Sequence, residues 1–382
     1  MTALSFSHMT NSPRRVKTRF TGRDTTVWTP EPSQSMTRRM DHPTRPAGRK
    51  TARRTTLTEV ARQAGVSEIT VSRVIRNSGP IAADTRARVM ETVRALGYVP
   101  NRVAGTLASS GSNLVGIVLP SLANIVFPEV LRGAAGPLET MGYHPVIAVT
   151  EYDPAREEAL IESLLAWRPA GLLVTGLEHT PRAEAMLRNA GIRIAELMDT
   201  DGDGIDIIVG FSNFDAGCVA ARHLLARGYR RFGYVGHGSG MTIGTDLRAG
   251  KRWSGFETTL REAGHPLHDK EIVDAPSSIE AGRCGLAALL ARSPKLDAVY
   301  FSNDDMALGG YFHCLARGIA IPGTLALFGH NALEVGQVAP QPLSTVRTPR
   351  LKIGEVGAML VCGDAPSQKV DLGVDLIEGA TA

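Results

Sequence analysis

A chain of 382 residues has room for two or three domains with substantial cores. Its net charge of +4 is unevenly spread: residues 1–54 hold 12 Arg or Lys against 3 Asp or Glu, a net of +9, which leaves −5 for residues 55–382. A basic end on an acidic body suits phosphate contact at that end and excludes a molecule coated all over by nucleic acid.

Residues 1–53 are rich in Thr, Ser, Pro and Arg without a sustained apolar period, and read as a disordered basic extension. An electrostatic arm on DNA is the functional alternative. Met36 and Met40 within it leave room for an extension created by start-codon choice.

Residues 54–100 read as a helix-turn-helix DNA-binding domain of three helices. In TLTEVARQAGVSEITVSRVI (56–75), Thr56 and Glu59 form a Thr-x-x-Glu capping box that starts the first helix. Val60, Ala61 and Ala64 give that helix one small apolar face. Gly65 ends it, because glycine alone adopts the left-handed backbone cheaply. Ser67 is placed to cap the second helix, and Val71, Val74 and Ile75 pack back on the first. Glu68, Ile69, Ser72 and Arg73 are left toward solvent or a groove, the arrangement in which a second helix enters the DNA major groove. A third helix is expected from about Ala83 to Leu96, with Val89, Val93 and Leu96 on one side.

Residues 101–112 form a hinge and linker. Val103, Ala104, Leu107 and Ala108 have helical spacing, but Gly105 and polar neighbours make an isolated helix marginal in water. Composition alone is equally compatible with a plain tether.

From residue 113 to 382, short apolar runs alternate with helical stretches, the pattern of parallel sheets covered on both faces. Strands are expected at 115–120, 144–150, 171–176, 192–197 and 205–210 in one half, and at 231–236, 271–275, 296–302 and 324–329 in the other. Helices are expected at 128–141, 155–166, 213–227, 247–263, 279–291 and 305–317. The fold class is therefore an all-α headpiece on a body of two α/β subdomains. A ligand would gather beyond the carboxyl ends of the strands, in the cleft between the halves. Asn124, Phe127, Asp199 and Asn213 all follow strands; Phe127 fits the core as well as the cleft mouth. In SNDDMALGG (302–310), Asn303, Asp304 and Asp305 could bind a ligand, cap the following helix, or do both.

No catalytic constellation appears. The chain has no G-x-S-x-G elbow, H-E-x-x-H pair or phosphate-binding glycine loop, so no enzyme, cofactor or metal is expected. Cys218, Cys284, Cys314 and Cys362 lie far apart and read as reduced thiols of a cytoplasmic protein. No apolar run is long enough to span a membrane, and no signal-peptide core stands near the start.

On these residues the chain resembles the lactose repressor family of bacterial transcription regulators, over about residues 55–380. The marks are TLTEVARQAGVSEITVSRVI, GYVPNRVAGTLAS (97–109), SNDDMALG (302–309) and PLSTVRTP (342–349). Within the family it is similar to the gluconate repressors, through PSLANIVFPEVLRG (120–133), HTPRAEAML (179–187) and AELMDT (195–200). The resemblance implies a periplasmic-binding-protein-like body, a homodimer, a near-palindromic double-stranded operator and a small-molecule effector.

It further implies that Glu68 and Ile69 read bases with Arg73, while Thr70 and Ser72 lie near phosphates. Thr56, Ser67, Asn101 and Arg102 join the expected DNA-binding surface. Residues 101–109 match a hinge helix that folds on DNA, with Leu107 as the wedge in the central minor-groove step. In the cleft, Arg252 matches an arginine that grips the effector, alongside Asn303 and Asp304. Asn331 stands where most members carry Asp, and losing that charge favours a sugar acid such as gluconate over a neutral sugar. Lys251, Thr242 or His330 could supply further donors. Corepression of the purine type would invert the sign of control. A solute-binding module would call for a signal peptide and no helix-turn-helix, the reverse of what the chain carries.

Overall fold

The computed structural model describes residues 55–100, 112–123, 125–238 and 246–382. The expectations for the basic extension, for Asn101, Arg102 and Leu107 of the hinge, and for Asn124 and Thr242 lie outside these residues. The chain divides into two compact units at Pro100.

The first unit holds α1 (Leu57–Ala64), α2 (Glu68–Ile75) and α3 (Ala83–Ala95). Val60, Ala61 and Ala64 of α1, Val71 and Val74 of α2 and Val89 of α3 form its core, with Val93, Leu96 and Tyr98 packed at the margin. Arg88 also donates to the Ala64 carbonyl at 2.9 Å, satisfying an open end of α1 from the third helix.

In the second unit the first subdomain opens with β1 (Leu114–Leu119), α4 (Val126–Thr140), β2 (His144–Val149), α5 (Pro154–Ala166) and β3 (Gly171–Thr175). It continues through α6 (Pro181–Arg188), β4 (Arg193–Leu197) and β5 (Ile207–Gly210). The second subdomain contains α7 (Asn213–Ala226), β6 (Phe232–Gly238), α8 (Leu247–Glu262), β7 (Asp269–Asp274) and α9 (Ile279–Arg292). Then come β8 (Ala298–Phe301), α10 (Asp304–Arg317), β9 (Ala326–Phe328), α11 (Glu334–Gln337) and β10 (Thr345–Arg347). The chain closes with α12 (Arg350–Cys362), β11 (Gln368–Asp371) and β12 (Asp375–Ile377).

Two parallel sheets result, in the orders β11-β5-β4-β3-β1-β2 and β7-β6-β8-β9. Strands β3, β4, β5, β8 and β9 are buried along nearly their whole length, as sheets covered on both faces require. One expectation needs correcting: the two subdomains are not successive halves of the chain. The C-terminal β11 returns to pair with β5 in the first sheet, and α12 packs on α4. Both were missed because QKVD (368–371) is a polar, largely exposed edge strand and α12 buries small residues such as Gly354, Gly357 and Ala358.

Helices α7 and α8 touch backbone to backbone. A Cβ on Gly217 would meet the Arg252 carbonyl oxygen at 1.9 Å, and one on Gly255 would meet that of Phe214 at 2.0 Å. This reciprocal contact sets the position of Arg252 beside the start of α7. In the first subdomain, buried His179 ties three elements together: its Nδ1 lies 2.5 Å from Glu157 of α5 and its Nε2 3.4 Å from Glu196 of β4.

Candidate functional site

The first unit presents an outward helix face. Thr56 and Glu59 make the reciprocal capping box, with Glu59 N–H donating to Thr56 Oγ1 at 3.3 Å and Thr56 N–H to Glu59 Oε2 at 2.9 Å. Gly65 adopts the left-handed φ of 66° between the helices. Ser67 caps α2 by accepting from Thr70 N–H at 3.2 Å. Thr56 and Ser67 therefore have helix-starting work of their own. The Ser72 hydroxyl accepts from Arg76 Nε at 3.1 Å, and Thr70 and Ser72 are half-buried. Glu68 and Arg73 are exposed, and Ile69 is 66% exposed although it is apolar. An apolar side chain held outward next to an acid and a base offers a thymine methyl and base edges complementary contacts.

The second unit encloses a cavity at the carboxyl ends of its strands. Val126 and Phe127 of α4, Tyr152 after β2, and Met198 after β4 wall it from one subdomain. Phe211 and Asn213 stand at the crossing, and His237, Asp246, Arg248, Arg252, Ser277, Asn303, His330 and Asn331 complete the wall. Arg252 is buried, and its Nη1 donates to Asn213 Oδ1 at 2.8 Å, while Asn213 Nδ2 donates to the Met198 carbonyl at 3.0 Å. Arg248, one turn earlier on α8, lies over the Phe127 ring at 5.5 Å. Asp246 pairs with both, at 3.1 Å to Arg248 and 3.7 Å to Arg252. Burial alone would raise the Asp246 pKa, but Arg248, Arg252 and His237 hold it below the usual carboxylate range. Burial lowers the pKa of His237 and drives His330 well below the ordinary histidine value, and burial, with Asp246, pushes Tyr152 up to about 12. The wall thus carries two guanidinium groups, one carboxylate and otherwise neutral polar groups.

Of the residues expected here, the structure brings together Phe127, Asn213, Arg252, Asn303 and Asn331, with His330 from the further candidates. Phe127 serves core and cavity at once. Asn303 caps α10 through Met306 N–H at 3.1 Å and also lines the cavity, where its Nδ2 donates to Ser277 at 2.6 Å. Two expectations are corrected. Asp304 does not line the cavity: its oxygens accept from Thr345 Oγ1 and Leu333 N–H, each at 2.7 Å, and burial raises it to about 6. Asp199 is fully buried and accepts from Lys251 Nζ at 2.5 Å and from Asp201 N–H at 3.0 Å, so it too is spent on the fold. Lys251 also reaches Glu178 at 2.5 Å, which takes it out of the cavity wall. Sequence reasoning missed Arg248, Asp246 and Tyr152. The missed signal was spacing: Arg248, Arg252, Phe256 and Leu260 lie on one buried stripe of α8.

Among the described residues no cluster of His, Cys, Asp or Glu could hold a metal ion, and no helix is long and apolar enough to cross a membrane. All four cysteines are free.

Residues 56–101 match the family described as bacterial regulatory proteins, lacI family, and residues 112–364 match the periplasmic binding proteins and sugar binding domain of that family. The chain is similar to the HTH-type transcriptional regulator GntR of Pseudomonas aeruginosa, with 39% identity covering 86% of this chain and 96% of the relative. The regulator of the same name from Escherichia coli is 35% identical, over 86% of this chain and 99% of its own length. A solved lacI-family transcriptional regulator from Silicibacter pomeroyi superposes with a TM-score of 0.81 at 42% identity, covering 86% of this chain and 99% of that one. With both family models matched and relatives of 35–39% identity covering 86% of it, this chain belongs to the lacI family of bacterial regulatory proteins.

Proposed function

We propose that this regulator is a homodimeric repressor whose effector is an aldonate, with D-gluconate the first candidate. One observation carries the reading: two buried guanidinium groups, Arg248 and Arg252, face the cavity with Asp246 as the one carboxylate in its wall. A cavity wall with one positive charge in excess favours an organic anion over a neutral sugar, and guanidinium groups suit a carboxylate. Ser277, Asn303 and Asn331 stand in the wall as neutral polar groups beside the space for hydroxyl groups. The substitution of Asn331 for the family's more usual Asp removes a second anion from the same wall.

On DNA, Glu68, Ile69 and Arg73 read base edges in the major groove, Thr70 and Ser72 approach phosphates, and two headpieces engage half-sites about one helical turn apart. Residues 101–112 act as the hinge, folding on the operator with Leu107 wedged into its central step, and the basic residues of 1–53 add contact that is independent of sequence. The effector binds better to the form of the body that cannot order the hinges, so operator affinity falls as the cavity fills.

Fluorescence anisotropy of the full chain on the DNA upstream of its own gene, titrated with a panel of sugar acids, tests this. An aldonate should release the operator while the matching neutral sugar leaves it bound. Tighter binding with effector would make the protein a corepressor-dependent regulator, and indifference to every acid would refute the aldonate reading. Leu107→Ala should weaken specific operator binding far more than binding to random duplex; equal losses would remove the wedge.

A further inference from the structure

Among the described residues, seven buried side-chain polar atoms have no hydrogen-bond partner, and three of them belong to this one cavity wall: Asp246 Oδ1, Arg252 Nε and His330 Nδ1. Asp246 Oδ1 has its ion pair with Arg248. The other two have nothing. A buried polar group left unpaired costs free energy, and one that lines a cavity is placed to be satisfied by whatever the cavity holds, water or ligand.

His330 is 1% exposed and follows Gly329 at the end of β9, where its carbonyl accepts from Asp304 N–H at 2.9 Å. That contact, together with the buried Asp304 behind it, anchors the backbone and leaves the ring as part of the cavity wall. The ring packs 6.2 Å from Phe211, which is itself in the wall. Burial, then Arg252 and Arg350, keep the imidazole neutral, so one nitrogen offers a lone pair and the other a proton. The neighbouring charged groups are rich in donors: Arg248 and Arg252 have N–H groups to give and no lone pair to receive. A polyhydroxy ligand brings hydroxyl protons that need acceptors, and the wall has few.

We propose that His330 is a specificity-determining residue of the effector site, its neutral imidazole accepting a hydrogen bond from one hydroxyl of a hydroxycarboxylate while Arg252 Nε donates to the carboxylate. This deepens the aldonate reading and rests on it for the identity of the ligand class. The cavity then demands both a carboxylate and a hydroxyl at a fixed distance from it. Simple carboxylates lacking that hydroxyl leave the imidazole unpaired and are rejected.

The test is calorimetric titration of the full chain with D-gluconate and with the monodeoxy gluconates, for wild type, His330→Phe and His330→Gln. Phe keeps a ring beside Phe211 and removes both nitrogens; Gln restores an acceptor. Wild type should bind D-gluconate about tenfold or more tightly than the one deoxy ligand that lacks the hydroxyl read by His330. His330→Phe should bind those two equally, and His330→Gln should recover part of the preference. Equal D-gluconate affinity in wild type and His330→Phe would overturn the proposal. So would a uniform loss across all ligands in both variants, because that signals a damaged wall and not a lost hydroxyl contact. Operator binding without effector reports that each variant is folded. If wild type binds D-glucose and not D-gluconate, the anionic reading fails, and the same deoxy series built on D-glucose still decides the role of His330. A wild-type chain that binds neither overturns both.

Discussion

Helices α2 and α8 solve opposite problems with the same geometry. On α2 the apolar residues Val71 and Val74 go inward and the candidate readers Glu68, Ile69 and Arg73 go out, so the polar face is free to meet DNA. On α8 the inward stripe itself carries the proposed ligand groups: Arg248 and Arg252 are buried in line with Phe256 and Leu260, while Leu247 is left 50% exposed. Hydrophobic periodicity therefore separates fold from function on α2 and merges them on α8. Changes on the reading face of α2 should spare stability, whereas changes at the inward face of α8 should move both stability and ligand response.

The largest effect is expected at the merged face. Arg252→Ala should weaken effector binding by about 2–5 kcal/mol, because it deletes one buried guanidinium and leaves Asn213 Oδ1 unpaired. Headpiece binding to operator should persist without effector; anisotropy that still responds normally would remove Arg252 from the site. Gly217→Ala acts one contact away. Its Cβ would sit 1.9 Å from the Arg252 carbonyl, so α8 must shift, at an expected cost of about 3 kcal/mol in chemical denaturation together with weaker effector binding. Unchanged stability there would contradict the packed crossing.

Polar groups also carry stability elsewhere in the body, as His179 shows. Burial opposes its charge, but Glu157 and Glu196 raise its pKa from 6.5 to about 9. A raised histidine stabilises the fold fully below its unfolded value near 6.5, and that contribution fades as pH climbs through 9. Wild type should therefore lose about 3 kcal/mol between pH 6.5 and 9 relative to His179→Gln. Parallel pH profiles of the two proteins would exclude a charged imidazole.

Smaller effects separate the two faces of α2. Val71→Ala, at a fully buried position, should cost the headpiece about 2 kcal/mol, whereas Ile69→Ala should stay within about 0.5 kcal/mol and change only operator preference. Thermal melts of the two variants decide this, and equal losses would show that Ile69 is part of the core. A small gain is expected on the outer side of α8, where the Cβ of Gly250→Ala meets nothing within 4 Å and should stabilise by about 0.5–1 kcal/mol. A destabilised Gly250→Ala would mean that this side of α8 is also packed.

The same contrast explains what the sequence made legible. Local signals sufficed for the headpiece, because Thr56, Glu59, Gly65 and Ser67 act on neighbours within a turn or two. Alternating apolar strands and helices also sufficed for two parallel sheets. Long-range partnerships did not show. Asp199 and Asp304 follow strands as candidate ligand residues should, yet their partners Lys251 and Thr345 lie 52 and 41 residues away. Arg248 went unread because its stripe faces inward only through the close packing of α8 on α7, where Gly217 meets Arg252 and Gly255 meets Phe214. Asn303 was legible as a cap at the cavity's edge because its acceptor bonds Met306 three residues on, a local signal.

The most direct test of an anion-selective cavity uses Trp253, which follows Arg252 on α8 and has its ring centroid 4.5 Å from that of Tyr234, tilted by 50°. Tryptophan fluorescence of the full chain should change saturably with D-gluconate and stay flat with D-glucose at equal concentration. An equal response to both, or a response to D-glucose alone, would contradict the account.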